Sequence, residues 1–393
     1  MLARVSAGAV GLQRRLVPWT LPKEERYAAG IANGLRKAFK RAEEREQPLE
    51  LSQARIIVFS DQHKGTRDGA DDFRRCERAY NAALAWYHEN GYHLIALGDV
   101  EEMWENDPDE VLEAYPCTLG LEQLFHEAKP SRYTRVYGNH DHQWSQPEPV
   151  KKLQAIFPGL EVLESIRLRI RDGGQDLGVL FLAHGHQGTP ESDRLSFLSR
   201  PAVRHLWKPL QKKLNKPWNT PAVDWALRED HDKAMFAWAK GHRERPVLIA
   251  GHTHRPVFGE QVVSEKTESP AQIKKELDAQ RSPELWAKLE WAKAAQRRLE
   301  RQRITVSPPC YFNTGCCSFG DGDITGIEIA NEQIRLVRWA SDGKIWEPEV
   351  LGQPRELREV LQAVRKGTGA EAHEPDAPRG ASDCSPSGAP PPA

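Results

Sequence analysis

Five short stretches hold the residues able to do chemistry: Asp61-Gln-His63, Gly98-Asp99, Gly138-Asn-His-Asp141, His184-Gly-His186 and Gly251-His-Thr-His254. Side chains two apart on an extended chain share a face, so Asp61 with His63, and His252 with His254, each form a two-pronged donor set. Carboxylates, an amide oxygen and imidazoles with no thiolate among them suit manganese first, then iron or zinc, better than copper or an all-oxygen magnesium site. The candidate ligands Asp61, His63, Asp99, Asn139, His184, His252 and His254 are too many for one ion. They divide between two ions if one carboxylate is shared, and Asp99, with two oxygens and a place in the middle of the set, is the natural bridge. Two such ions about 3.5–4 Å apart polarise a phosphoryl oxygen and lower the pKa of a shared water to make a hydroxide nucleophile. Hydrolysis of a phosphoester is the expected reaction.

Each stretch closes an apolar run, and those runs must be the elements that position it. Ala54 to Ser60, Tyr92 to Leu97, Thr134 to Tyr137, Leu177 to Ala183 and Val247 to Ala250 are short and mostly apolar, the mark of buried strands. Between the first two, residues 71 to 90 place Phe73, Cys76, Tyr80, Leu84 and Tyr87 on one helical face, which gives a β-α-β unit. Ligands of open α/β sheets gather at the carboxyl ends of strands, where all five stretches fall. A further strand is expected at Glu161 to Ile170. Cys310 to Gly315 resumes a strand, and Asp323 to Glu328 with Gln333 to Trp339 reads as a hairpin turning at Asn331, these together closing a second sheet.

The chain has 393 residues, 39% of them hydrophobic, and a formal net charge of -1, enough to bury one large core or two modest ones and too little charge to indicate a partner. Six cysteines without CxxC pairing argue against a disulfide framework or a thiolate zinc site and fit a reducing, cytoplasmic compartment. No apolar run has the length of a membrane span. The first 23 residues carry Arg4, Arg14, Arg15 and Lys23 without an acid, which leaves room for a transit peptide or a peripheral membrane contact.

We divide the chain into a charged, partly helical segment over 1–50, interrupted at Gly30 and Gly34, and a catalytic domain over 51–350. A C-terminal helix over 351–366 and a disordered tail over 367–393 complete it. Two insertions are expected in the domain. One, over 188–245, is helical and of lid length; its part from Arg194 to Val223 contains no acid and interleaves Arg200, Arg204, Lys208, Lys212, Lys213 and Lys216 with Leu206, Trp207, Leu210 and Leu214. That composition is either a solvated basic face or a surface for phosphate or lipid, with Arg204, Lys208 and His186 as candidate substrate contacts. The other, over 268–304, reads as a charged helical hairpin with Leu285, Trp286, Leu289 and Leu299 as a packing stripe.

In this order, Asp61-x-His63, Gly98-Asp99, Gly138-Asn139-His140-Asp141, His184 and Gly251-His252-x-His254 resemble the motifs of calcineurin-like metallophosphoesterases, over about residues 54 to 340. The resemblance implies an α/β fold of two facing mixed β-sheets flanked by helices. It implies one ion held by Asp61, His63, Asp99 and His254, and a second by Asp99, Asn139, His184 and His252. It also implies that His140 is not a ligand but the general acid that protonates the leaving oxygen, oriented by Glu102 or alternatively by Asp141. Gly98 to Trp104 lacks the Asp-Arg-Gly ending of protein serine/threonine phosphatases, so a phosphoprotein substrate is not expected. Trp104 and the long helical insertion are similar to the branch around bacterial UDP-diacylglucosamine pyrophosphohydrolases. This chain departs from that branch in carrying His140 where those enzymes have Arg, and His186 where related members have Asp. A phosphorylated small molecule or a lipid-linked phosphate is the expected substrate. The alternatives are a nuclease of the same chemistry, which would need a basic groove with stacking aromatics, and a scaffold that has lost its metals.

Overall fold

The computed structural model describes residues 23–189, 225–258, 261–262, 307–340 and 347–366, with scattered positions between 274 and 289. The chain begins with α1 (Lys23–Glu43), β1 (Gln47–Glu50), β2 (Arg55–Phe59), α2 (Phe73–Glu89) and β3 (His93–Leu97). It continues through α3 (Pro108–Ala114), α4 (Pro116–Glu127), β4 (Tyr133–Val136), α5 (Pro147–Ile156), β5 (Val162–Leu163), β6 (Ser165–Asp172) and β7 (Gln175–Ala183). Then follow α6 (Trp225–Gly241), β8 (Val247–Ala250), β9 (Val257–Phe258), β10 (Gln261–Val262), β11 (Tyr311–Asn313), β12 (Ile324–Ala330), β13 (Gln333–Trp339), β14 (Glu349–Glu356) and α7 (Leu357–Lys366).

These strands form two mixed sheets, in the orders β1-β6-β7-β8-β11-β9-β10 and β14-β13-β12-β2-β3-β4-β5. Alternation along β2 shows how they are layered. Ile56 and Val58 join the core shared with β7 and β8 of the other sheet, while Ile57 and Phe59 join a second core with Phe73, Tyr80 and Tyr87 of α2. Because both faces are covered, the parallel strands β2 and β3 read as continuous apolar runs. Helices α1, α6 and α7 add Leu35, Phe39, Trp238 and Leu361 to the first core, with Phe39 edge-on to Phe181 at a centroid distance of 5.0 Å. The fold is α/β, two facing mixed sheets with helices flanking them, as the motifs imply.

Several elements differ from the sequence reading. The segment set apart as a charged approach contributes α1 to the first core, where Ile31, Leu35 and Ala38 are fully buried, and β1 to the first sheet, parallel to β6. Gly30 and Gly34 do not interrupt α1; they let it touch the loop after β7. A Cβ on Gly34 would lie 2.5 Å from the Gln187 carbonyl carbon, closer than packing allows. The strand expected from Glu161 to Ile170 is two strands in different sheets, β5 beside β4 and β6 beside β7. The crossing falls at Glu164, which forms a two-pronged ion pair with Arg41 at 2.5 and 2.6 Å.

Tyr311–Asn313 lies in the first sheet beside β8, whereas the hairpin joins the second sheet through β12 and β2, so they do not close one sheet together. Positive φ at Asn331 (52°) and Glu332 (64°) makes its two-residue turn. Strand β14 precedes α7 where only a helix was expected. It is an exposed edge strand that includes Gly352 and Pro354, so no apolar alternation announces it. Of the packing stripe in the second insertion, Leu289 is buried against Leu277, Trp286 is 60% exposed, and Leu299 lies outside the described residues. So do residues 1–22, residues 190–224 of the expected lid, and the tail from 367.

Candidate metal centre

The loops after β2 and β3 run side by side, and their backbones hold the donors in place. Asp61 N–H donates to Gly98 O at 3.0 Å, His63 to Asp99 O at 2.9 Å, Lys64 to Val100 O at 2.9 Å, and Glu102 back to Lys64 O at 3.0 Å. Asp61, His63, Asp99, His252 and His254 all have left-handed backbones, with φ of 54°, 51°, 52°, 68° and 53°. Each such residue costs about 1–3 kcal/mol, and strain of this kind collects where geometry serves function. Glycines beside the donors permit the close approach. A Cβ on Gly138 would fall 2.1 Å from Asp99 Oδ1, and one on Gly251 would fall 2.4 Å from Asp61 Oδ2.

The donor atoms gather in two triads, Asp61–His63–His254 and Asp99–His184–His252. In the first, Asp61 Oδ1 lies 3.2 Å from His254 Nε2, and His63 Nε2 lies 3.1 Å from His254 Nε2. In the second, His184 Nε2 lies 3.1 Å from Asp99 Oδ2. Asp99 Oδ2 is also 3.8 Å from His63 Nε2, and Asp61 Oδ1 is 3.9 Å from His184 Nε2, so the two triads share one space.

These residues fit a pair of cations. The side chain of Asn139 buries a polar atom, Oδ1, that has no hydrogen-bond partner among the described residues. Buried polar groups are otherwise almost always satisfied. Two imidazole nitrogens 3.1 Å apart are spaced as neighbouring ligands of one ion would be, given ligand distances of about 2.0–2.2 Å. The electrostatics agree. Burial opposes charge on His63 and His184, yet the surrounding carboxylates outweigh it and push the imidazoles up to about 10 and about 9. The carboxylates Asp61, Asp99 and Glu102 thus favour positive charge at His63 and His184, while burial pushes His252 and His254 down and keeps them neutral donors.

A third cluster, His63–Glu102–His140, overlaps the first triad. Glu102 Oε2 lies 2.6 Å from His140 Nδ1 and 3.1 Å from His63 Nδ1. Burial opposes charge on Glu102 as well, but the two imidazoles hold its carboxyl down to about 2. Asp141, read as an alternative partner for His140, is engaged elsewhere. It accepts backbone N–H bonds from Gly138 at 2.6 Å, Val100 at 2.9 Å and Asp99 at 3.3 Å, and so ties the third loop to the second.

His186, read as a substrate contact, is 5% exposed, and burial with the nearby His184 pushes its pKa down to about 3, so it brings no charge to an anion. Arg204 and Lys208 lie outside the described residues.

Sequence reasoning missed the groups behind the donors. On α6, Asp232 accepts bonds from Thr253 Oγ1 at 3.0 Å, Arg255 Nε at 2.9 Å and Tyr311 OH at 2.7 Å, which fixes the loop carrying His252 and His254. Its neighbour His231 bridges Tyr27 OH and Gly185 O, each at 2.8 Å. Beneath the paired loops, Lys64 Nζ lies between Glu122 at 2.9 Å and Glu101 at 3.2 Å, and Arg135 pairs with Glu101, all fully buried. An arginine inside the apolar run of β4 was the signal available for this cluster.

Gly138→Ala tests the close packing. Its Cβ would meet Asp99 backbone N at 2.6 Å as well as Oδ1, so the loop must shift, and the variant is expected to bind less than half the metal of the parent by elemental analysis. Parental metal content would show that the contact is dispensable.

A family model described as Calcineurin-like phosphoesterase matches residues 54–256. No curated protein matches the chain. Among solved structures, two of a cold-active protein tyrosine phosphatase are each 13% identical, with TM-scores of 0.32 and 0.33, covering 78% and 80% of this chain and 82% and 81% of theirs. A dimetal phosphatase from Danio rerio is 9% identical with a TM-score of 0.34, covering 76% of this chain and 98% of that one.

Proposed function

The chain belongs to the calcineurin-like phosphoesterase family and is a metal-dependent phosphoesterase, and we propose that it works with two ions that share Asp99. Asp61, His63, Asp99 and His254 would hold one ion, and Asp99, Asn139, His184 and His252 the other. The observation that carries this reading is the place of Asp99 Oδ2, within 3.1 Å of His184 Nε2 and 3.8 Å of His63 Nε2. A donor set of imidazoles, carboxylates and one amide favours manganese, with iron or zinc next. Such ions, when bound, polarise the phosphoryl oxygens and make water nucleophilic at neutral pH.

The protein's own groups do the rest. His63 Nδ1 is engaged by Glu102, which fixes the ring with Nε2 toward Asp61, Asp99 and His254, the usual role of a carboxylate behind a metal-binding histidine. His140 Nδ1 is engaged by the same carboxylate, so Nε2 is the nitrogen free to carry a proton to the leaving oxygen. Glu102 thus orients both rings, and we assign it to positioning and His140 to general acid catalysis.

For the substrate we propose a small or lipid-linked phosphate compound cleaved at an ester or pyrophosphate bond. The acid-free stretch from Arg194 to Val223, with apolar residues between its cations, supports an anionic partner that also has an apolar part. Turnover of phosphomonoesters, phosphodiesters, nucleoside diphosphate conjugates and nucleic acids with manganese added tests this reading directly. The Arg204→Ala/Lys208→Ala double variant is expected to raise KM several-fold on a conjugated or lipid-linked substrate and to spare a small nitrophenyl ester, because binding energy remote from phosphorus appears there. A nucleic-acid substrate would instead show a log-log salt slope of about -0.7 per neutralised phosphate on single strands. No change on any substrate would leave the segment without a role in recognition.

A further inference from the structure

Trp104 is half-buried two residues after Glu102 and touches every part of the acid apparatus. Its indole stacks on the His140 ring with centroids 4.1 Å apart and planes 15° from parallel. The indole Nε1–H donates to Asn139 O at 2.8 Å, on the residue before His140. The Trp104 backbone N–H donates to Glu102 Oε1 at 3.1 Å, the oxygen that His140 does not use. A single residue therefore covers one face of the imidazole, anchors the backbone that carries it, and holds the carboxylate that orients it.

We propose that Trp104 is a positioning residue for the His140–Glu102 pair. The inference rests on the reading of His140 as the acid. An imidazole bonded at Nδ1 alone can still rock about its Cβ–Cγ bond and tilt Nε2 away from its target. A flat partner pressed on one face removes that rotation, and the Nε1–H bond to Asn139 O keeps the indole in register with the ring. Edge-on contact from His63, whose ring lies 4.6 Å away at 86°, closes another side. The acid is thus held in the geometry of proton transfer before substrate arrives, the condition under which small displacements are costly.

Trp104→Leu is the test. Expected is a fall in kcat of about 10- to 10²-fold on a poor leaving group such as an alkyl phosphate, the size of loss a misplaced catalytic group produces. KM and metal content should be unchanged, and a nitrophenyl ester, whose leaving group needs no proton, should be spared. Trp104→Phe, which keeps a ring face and loses the bond to Asn139 O, should restore most of the loss and serves if the leucine variant does not fold. In a His140→Asn background, Trp104→Leu should cost nothing more, since a positioning residue has no effect once its target is gone.

An equal loss on both leaving groups, or a full further loss in the His140→Asn background, would mean that Trp104 acts on substrate or on the fold and would overturn the proposal. His140→Asn alone reports on the other reading. If that single variant affects both leaving groups equally, it is the acid assignment that fails, whatever Trp104 does.

Discussion

Asp99→Asn is expected to abolish activity and to empty both cation sites at once. The substitution keeps size and shape and changes one oxygen into an NH2 group. Asp99 Oδ1 accepts the His140 N–H at 2.8 Å, and the asparagine oxygen can take over that bond. Its NH2 then stands where Oδ2 was, facing His184 Nε2 and His63 Nε2 at 3.1 and 3.8 Å, with no lone pair to offer a cation. Elemental analysis should find far less than two ions per chain, and nitrophenyl phosphate turnover should fall below detection. No other single ligand change should do as much, because in the proposed arrangement each remaining donor serves one ion and only Asp99 serves both. Two ions retained by this variant would overturn the shared-carboxylate assignment. The metal-free variant should melt lower than the metal-free parent, because burial of the Asp99 carboxyl is outweighed by His184, His140 and His63, which hold it well below the usual carboxylate range, and that attraction is lost with the charge.

The places of the proposed donors were legible in the sequence because each ends an apolar run, and both properties survive without tertiary information. Asp61 and His63 follow β2 as expected, Asp99 follows β3, and His252 follows β8. What could not be read is the backbone that presents them. Nothing in the letters Asp-Gln-His signals a φ near 50° at both Asp61 and His63, because that conformation comes from the ladder to Gly98, Asp99 and Val100. The choice between Glu102 and Asp141 as partner of His140 was likewise closed to sequence. Both acids are near in the chain, and only the fold turns Asp141 toward three backbone amides and Glu102 toward the rings.

Supporting residues were hidden for a different reason. Asp232 and His231 sit in a helix whose other positions look ordinary, and Lys64 and Glu101 are charged residues that any sequence reading sends to solvent. Helix α1 lies in the segment read as charged and partly helical, but its charge hid the face it buries. Its basic residues face outward while Ile31, Leu35 and Ala38 line the core. Long edge elements gave the opposite error: β14 is real but has no buried face to reveal it.

His140→Asn should leave the cations in place and remove turnover, in contrast to Asp99→Asn. His140 contributes its ring to Glu102 and Trp104, and its backbone N–H to Asp99, so the substitution retains the bond that braces the Asp99 carboxylate. Metal content should equal that of the parent. A general acid contributes about 10²–10⁴-fold, and losses in that range are expected on substrates with alkoxide-like leaving groups. Stabilising negative charge on the departing oxygen matters less when that oxygen is a nitrophenolate, which leaves without a proton. The deficit should therefore shrink steadily as the leaving-group pKa falls, and a plot of log kcat against that pKa should be steeper for the variant than for the parent. Parallel lines would assign His140 to substrate binding instead, and loss of metal would place it in the ligand set with His63.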